Sequence, residues 1–181
     1  MPYISHLSRF ALMLSVAACL PAQAFAMSTT RSGSEPMQAA LLDGTGAARG
    51  TVTLIPEGAV VHVSVSASGL TPGMHGLHVH AVGKCDGPAF TTAGGHWNPD
   101  NKQHGHDNPM GPHRGDLPQL MVGPDGTGTG NFDVAAPIAD MVDVDGAAVI
   151  IHAVQDDEKT DPSGNSGARL LCAAFVGGAA K

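Results

Sequence analysis

The sequence is short of charge and of aromatic rings: of 181 residues, 14% are charged and 4% are aromatic, against 43% hydrophobic. So little charge with so much apolar content excludes a disordered chain, and the length suits one domain better than two. Lys and Arg number only 9 against 16 Asp and Glu, giving a formal charge of −7. Nucleic acid and anionic membrane surfaces need clustered Lys and Arg, so neither is an expected partner. No segment carries a helical period, which argues against a bundle. No apolar run reaches the roughly 20 residues of a membrane-spanning helix. Cysteines number 3.

Arg9 precedes the apolar run Phe10–Ala18, and Ala24-Phe-Ala26 supplies the small residues that a signal peptidase accepts. Residues 1–26 are therefore read as a signal peptide, residues 27–36 as a flexible lead and residues 37–181 as the working domain. An alternative uses Val16-Ala-Ala-Cys19, which resembles a bacterial lipoprotein box and would leave Cys19 as a lipid anchor. Either cut places the domain outside the reducing cytosol, in the periplasm, where a disulfide persists. Cys85 and Cys172 then remain. Their even number and wide separation point to a bridge between a loop and the last strand, contributing on the order of 4 kcal/mol in the entropy model. Two buried free thiols are the alternative.

What is plentiful is Gly (24) and Pro (13), with short runs rich in Val, Thr and Ala, a composition of strands joined by turns. Strands are predicted at Met37–Leu42, Gly50–Pro56, Val60–Ala67, Gly76–Ala81, Leu117–Val122, Gly130–Ala135, Ala147–Ala153 and Leu170–Val176. In the third, Val61, Val63 and Val65 alternate with His62, Ser64 and Ser66, so His62 falls on the wet face. The glycine-rich stretch Gly123–Gly130 lacks the Lys of a phosphate loop and reads as a hairpin turn. The predicted architecture is all-β, an eight-stranded antiparallel Greek-key sandwich or barrel. Two long segments, Val82–Gly115 and Val154–Ala168, resist the strand pattern and read as functional loops.

Histidine is the unusual residue, with 10 copies against 9 of Lys plus Arg. His78 and His80 lie two apart in a strand and so present two imidazoles to one side. His152 follows the buried run Ala147–Ile151, a placement that suits a third ligand. The first loop carries His96, His104 and His113 and ends against Asp116. Three imidazoles with a carboxylate suit zinc, whereas an all-nitrogen set favours copper. On composition alone, a polar histidine-rich loop without metal remains open.

Four segments in order, Gly73-Met-His-Gly-Leu-His-Val-His80, Gly94-Gly-His-Trp-Asn-Pro99, His113-Arg-Gly-Asp-Leu117 and Gly164-Asn-Ser-Gly-Ala-Arg-Leu-Leu-Cys172, resemble the signatures of the copper/zinc superoxide dismutases. The bacterial exported branch is the nearest resemblance, and it extends from about Met37 to Val176. It implies that His78, His80 and His152 hold copper, that His96 bridges the two metals, and that His104, His113 and Asp116 complete the zinc site. His106 is a rival to His104, but the family spacing favours His104. Asp156 matches a carboxylate that hydrogen-bonds one ligand of each metal, His78 and His104. Arg169 matches the arginine that receives the anionic substrate, superoxide, and Cys85 with Cys172 matches the family disulfide.

The activity so implied is dismutation of superoxide by a redox-cycling copper beside a structural zinc, protecting against extracytoplasmic superoxide. Exported members vary in assembly, so monomer and homodimer both stay open. The segment Leu170–Phe175, with Leu171 and Phe175, is bulkier than the family pattern around the second cysteine. Trp97, beside His96, is read as packing against the metal loop. Two other classes compete: a metal carrier without catalysis, and a sandwich with a merely structural zinc loop. A carrier for Cu(I) would favour Met and Cys donors, and the sequence displays no evident methionine cluster.

Overall fold

The computed structural model describes residue 1 and residues 35–177. The signal peptide, the lipidation alternative at Cys19 and nearly all of the lead fall outside the described residues. Eight strands follow: β1 (Met37–Asp43), β2 (Ala48–Glu57), β3 (Val60–Ser68), β4 (Gly73–His80), β5 (Asp116–Val122), β6 (Thr127–Val134), β7 (Ala147–His152) and β8 (Arg169–Phe175). They close into an antiparallel barrel in the order β1-β2-β3-β6-β5-β4-β7-β8. Closure leaves no unpaired sheet edge, and the β3/β6 neighbourhood, with β4 and β5 threaded behind, is a Greek-key crossing.

Alternation sets the inward face. Leu41, Val52, Leu54, Val61, Val63, Leu77, Val79, Val149 and Ile151 fill the interior. His62 lies on the wet face as expected, with its ring nitrogens 2.6 Å from Asp133 Oδ1 and 2.9 Å from Glu57 Oε2. Leu171 and Phe175, unusually bulky for the family pattern, are absorbed into the core at 3% exposure each. Trp97 is also buried and joins this core.

Each predicted strand is present, with shifted ends. β4 begins at Gly73 and β6 at Thr127, earlier than predicted. In β6 the weakly apolar Thr127-Gly-Thr is recruited by pairing, Thr127 with Ser68 and Gly128 with Ala67, so only Gly123–Gly126 forms the turn. Two short helical pieces, Ile138–Met141 and Thr91–Ala93, are too brief to register as a helical period.

The side of the barrel formed by β4, β7 and β8 is buried on both faces, because the two long loops lie over it. Every β7 residue is buried, as is every β4 residue from His75 onward. A second apolar cluster, Phe90, Ala93, Ala148, Ile150 and Cys172 with Cys85 against it, packs the loop to the wall. Cys85 and Cys172 are disulfide-bonded there, with Cα atoms 5.7 Å apart. Among the described residues, no helix is long and apolar enough to cross a membrane.

Candidate metal centre

With Leu77, Val79, Val149 and Ile151 committed to the core, pleating turns His78, His80 and His152 to the outer face of the wall. There the loops roof them over, and their exposure is 1%, 1% and 3%. The first loop is lashed to β4: Trp97 N–H donates to Val79 O (2.8 Å), Val79 N–H to Gly115 O (2.8 Å) and Gly115 N–H to Trp97 O (2.9 Å). This lacing brings His96 opposite His80. On the other side, a bulge after Ile151 pairs His152 with Arg169.

Five imidazoles share one pattern, in which one ring nitrogen is held and the other is buried without a partner. His78 Nε2 lies 2.6 Å from Asp156 Oδ2, and His104 Nε2 lies 2.9 Å from Asp156 Oδ1. His80 Nδ1 donates to Gly94 O (2.9 Å) and His152 Nδ1 to Gly167 O (3.2 Å), while His96 Nδ1 lies 2.8 Å from Asp116 Oδ1. The opposite nitrogens, His78 Nδ1, His80 Nε2, His96 Nε2, His104 Nδ1 and His152 Nε2, have no hydrogen-bond partner. Each such buried group costs about 1–3 kcal/mol if left unmade, so five converging together call for a cation that they ligate.

The donors fall into two groups, each with ligand atoms within 4.8 Å of one another: His78, His80, His96 and His152, and His78, His96, His104 and Asp116. His113 adjoins the second group. Its Nδ1 lies 3.2 Å from Asp116 Oδ1, with His104 Nδ1 at 3.1 Å and His96 Nδ1 at 2.8 Å from the same oxygen. A tetrahedron of ligands about 2.0–2.1 Å from zinc has edges of about 3.3 Å, so these spacings fit a zinc ion among the four. The other oxygen of Asp116 accepts from the N–H groups of Gly105 and His113, 3.0 Å each.

Electrostatics separates the groups. Burial, reinforced by neighbouring rings, pushes His80 down to about 2, His152 to about 3 and His96 to about 4, so all three stay neutral. At His104 burial acts the same way but is outweighed by Asp116 and Asp156, which raise it to about 10. Burial also opposes ionisation of Asp116 and Asp156, yet the His104 ring beside both carboxylates, then His96 at Asp116 and His78 at Asp156, hold both well below the usual carboxylate range.

Beside the all-histidine group opens a cavity of about 480 Å³, lined among others by His80, His96, His152 and Arg169. The Arg169 guanidinium donates to Phe90 O and Gly94 O, 2.7 Å each, which fixes it at the rim. Gly94 O therefore holds both Arg169 and His80. His106 is exposed, bonded to Glu158, and outside the cluster that His104 joins.

Several contributors have roles that the sequence pattern does not disclose. Gln119 clamps the main chain of Asp156 in both directions (3.1 and 3.0 Å), and His75 holds His152 O (2.6 Å) and Thr71 O (2.8 Å). Asp161 accepts from His104 N–H (2.7 Å). Gly164 takes a φ of +64° where a Cβ would collide with Asp156 Oδ1, so glycine is required there. It opens the Gly164–Cys172 segment that carries part of the family resemblance.

A closed Greek-key barrel with two fused histidine clusters under its loops defines a binuclear metalloprotein. Residues 48–175 match the copper/zinc superoxide dismutase (SODC) family, and the chain belongs to that family, whose metals are copper and zinc. It is 46% identical over 132 residues to the superoxide dismutase-like protein YojM of Bacillus subtilis, covering 67% of this chain and 64% of that protein's own length. It is 41% identical over 156 residues to the Cu-Zn superoxide dismutase of Deinococcus radiodurans, covering 79% and 85%. Among solved structures, the SOD-like protein of Bacillus subtilis superposes with a TM-score of 0.72 at 39% identity, over 77% of this chain and 97% of that one.

Proposed function

We propose that this protein dismutates superoxide, with His78, His80, His96 and His152 holding copper and His96, His104, His113 and Asp116 holding zinc. The observation that carries the reading is the set of five buried nitrogens without partners, whose other ring nitrogens are all fixed. When bound, copper supplies one-electron exchange with superoxide, and zinc supplies charge and order without redox chemistry. The chain's own residues supply geometry and electrostatics. Arg169 attracts and orients the anion, a local remedy for a chain of net charge −7 that would otherwise repel it.

His96 Nε2, facing the cavity, is the atom that takes up a proton and delivers it as peroxide forms. Its Nδ1, 2.8 Å from Asp116 Oδ1, is the nitrogen that would hold zinc beside that carboxylate. Asp156 links the two groups by holding His78 and His104 in the tautomers that leave Nδ1 free. The protein is further proposed to act after export, with residues 1–26 as signal peptide or, alternatively, with a lipid on Cys19. The disulfide is compatible with that compartment. Metal analysis with a superoxide assay on the purified protein tests the activity: one copper and one zinc per chain, and a rate that tracks copper content, are expected. Full loading without turnover would leave a carrier instead.

A further inference from the structure

Met74, Met121 and His106 are metal-ligating residues left unused by the two histidine groups. Met74 and Met121 stand directly opposite each other in the β4/β5 ladder. Side chains so paired share one face with Cβ atoms about 4.5–5.5 Å apart, so two flexible thioethers reach a common point. That face is outward, because the adjacent pair, His75 and Leu120, is buried while Met121 is 60% exposed. The cluster was invisible in the sequence because 47 positions separate the two methionines and only register joins them.

Met74 lines a shallow cavity with His106, Gln119 and Glu158. His106 Nδ1 lies 2.9 Å from Glu158 Oε2, the arrangement in which a carboxylate orients an imidazole and leaves Nε2 to a metal. Glu158 is posed for this at a left-handed φ of 58°, unfavourable for a non-glycine, with its N–H on Asp156 Oδ1 (2.7 Å). Another wall residue, Gln119, is the one that clamps Asp156.

We propose that Met74, Met121 and His106 form a third metal site, on the outer wall of the barrel, selective for Cu(I). Two thioethers and one imidazole make a soft donor set that favours Cu(I) over Zn(II), and the one carboxylate nearby is occupied with His106. The site is independent of the dismutase reading.

The test uses protein already loaded with copper and zinc, its metals counted and its copper reduced. Cu(I) is then titrated in oxygen-free buffer against a chromogenic Cu(I) chelator. One further equivalent per chain is expected, with affinity falling at least about tenfold in the Met74→Leu/Met121→Leu double variant and in His106→Asn. Met110→Leu, which alters another exposed methionine (62%), leaves affinity unchanged. Ag(I), added as a diamagnetic probe, shifts the methyl resonances of Met74 and Met121 but not of Met110. The proposal is overturned if the wild type takes up no further equivalent, if the double variant binds as tightly, or if Zn(II) binds there equally well. Because resident metals are counted first, none of these results touches the two-metal reading.

Discussion

The two halves of the metal centre are built on different foundations. His78, His80 and His152 project from β4 and β7, whose other faces are locked into the barrel core. His96, His104 and His113 hang from the loop between β4 and β5, and their positions rest on Asp116, Asp156 and a few main-chain bonds. A strand-borne donor is placed by packing that exists without metal. A loop-borne donor is placed partly by the metal itself, whose binding energy becomes folding energy. Losing one donor should therefore affect activity in one half and stability in the other.

The largest expected effect lies in the strand-borne half. His80→Ala and His152→Ala should abolish dismutase activity while the melting temperature moves by only about 2–4 °C, the shift of roughly 1 kcal/mol in a domain near 150 residues. Activity near the wild-type rate in either variant would break the assignment. Next comes Arg169: Arg169→Glu should react about tenfold more slowly than Arg169→Ala at equal metal content, because repulsion replaces attraction. The wild-type rate should also fall with added salt, since at about 0.15 M charges beyond about 8 Å are screened. Equal rates for the two variants would leave Arg169 a structural clamp on Phe90 and Gly94.

In the loop-borne half, Asp116→Ala removes the carboxylate on which three imidazoles converge. It should lower the stability of the metal-loaded protein by about 3 kcal/mol or more, beyond the effect of His152→Ala, and expose loop amides to hydrogen exchange. Matching melting temperatures with and without zinc would erase the distinction between the halves.

The same distinction governs what the sequence made legible. Strands were readable wherever Val, Ile and Leu alternate, as in Val60–Ala67, because burial of one face writes itself into composition. The donor side chains were named through the family motifs they sit in, since a polar loop can carry imidazoles and carboxylates in water without any metal. The parts that stayed hidden act through main chain or register: the carbonyl of Gly94 serving His80 and Arg169, Gln119 on the Asp156 backbone, and Met74 beside Met121. Such roles leave no residue-type signature, since any residue has a carbonyl and any strand residue faces something.

The smallest effect is a count of protons, and it separates the halves most directly. In the metal-free protein burial keeps His80, His152 and His96 neutral, at about 2, 3 and 4, whereas two carboxylates keep His104 charged, at about 10. For the first three, the unfolded chain takes up protons below about 6.5 while the fold resists them. Their contribution to stability is present above that pH and is lost as pH falls through about 4 to 2. His104 has the opposite sign: its contribution is complete below about 6.5 and is lost as pH rises through about 10. Zinc must displace the His104 proton, so at pH 7 its binding should release about one proton, and its affinity should fall about tenfold for each unit of acidification. Copper, added after zinc, meets His80, His96 and His152 already neutral and should draw no proton from these three. Titration calorimetry in two buffers of different ionisation enthalpy counts these protons. Asp156→Asn, which removes one of the two carboxylates holding the His104 proton, should reduce the zinc-linked release. Equal release in both steps would mean that the loop-borne and strand-borne donors are poised alike before either metal arrives.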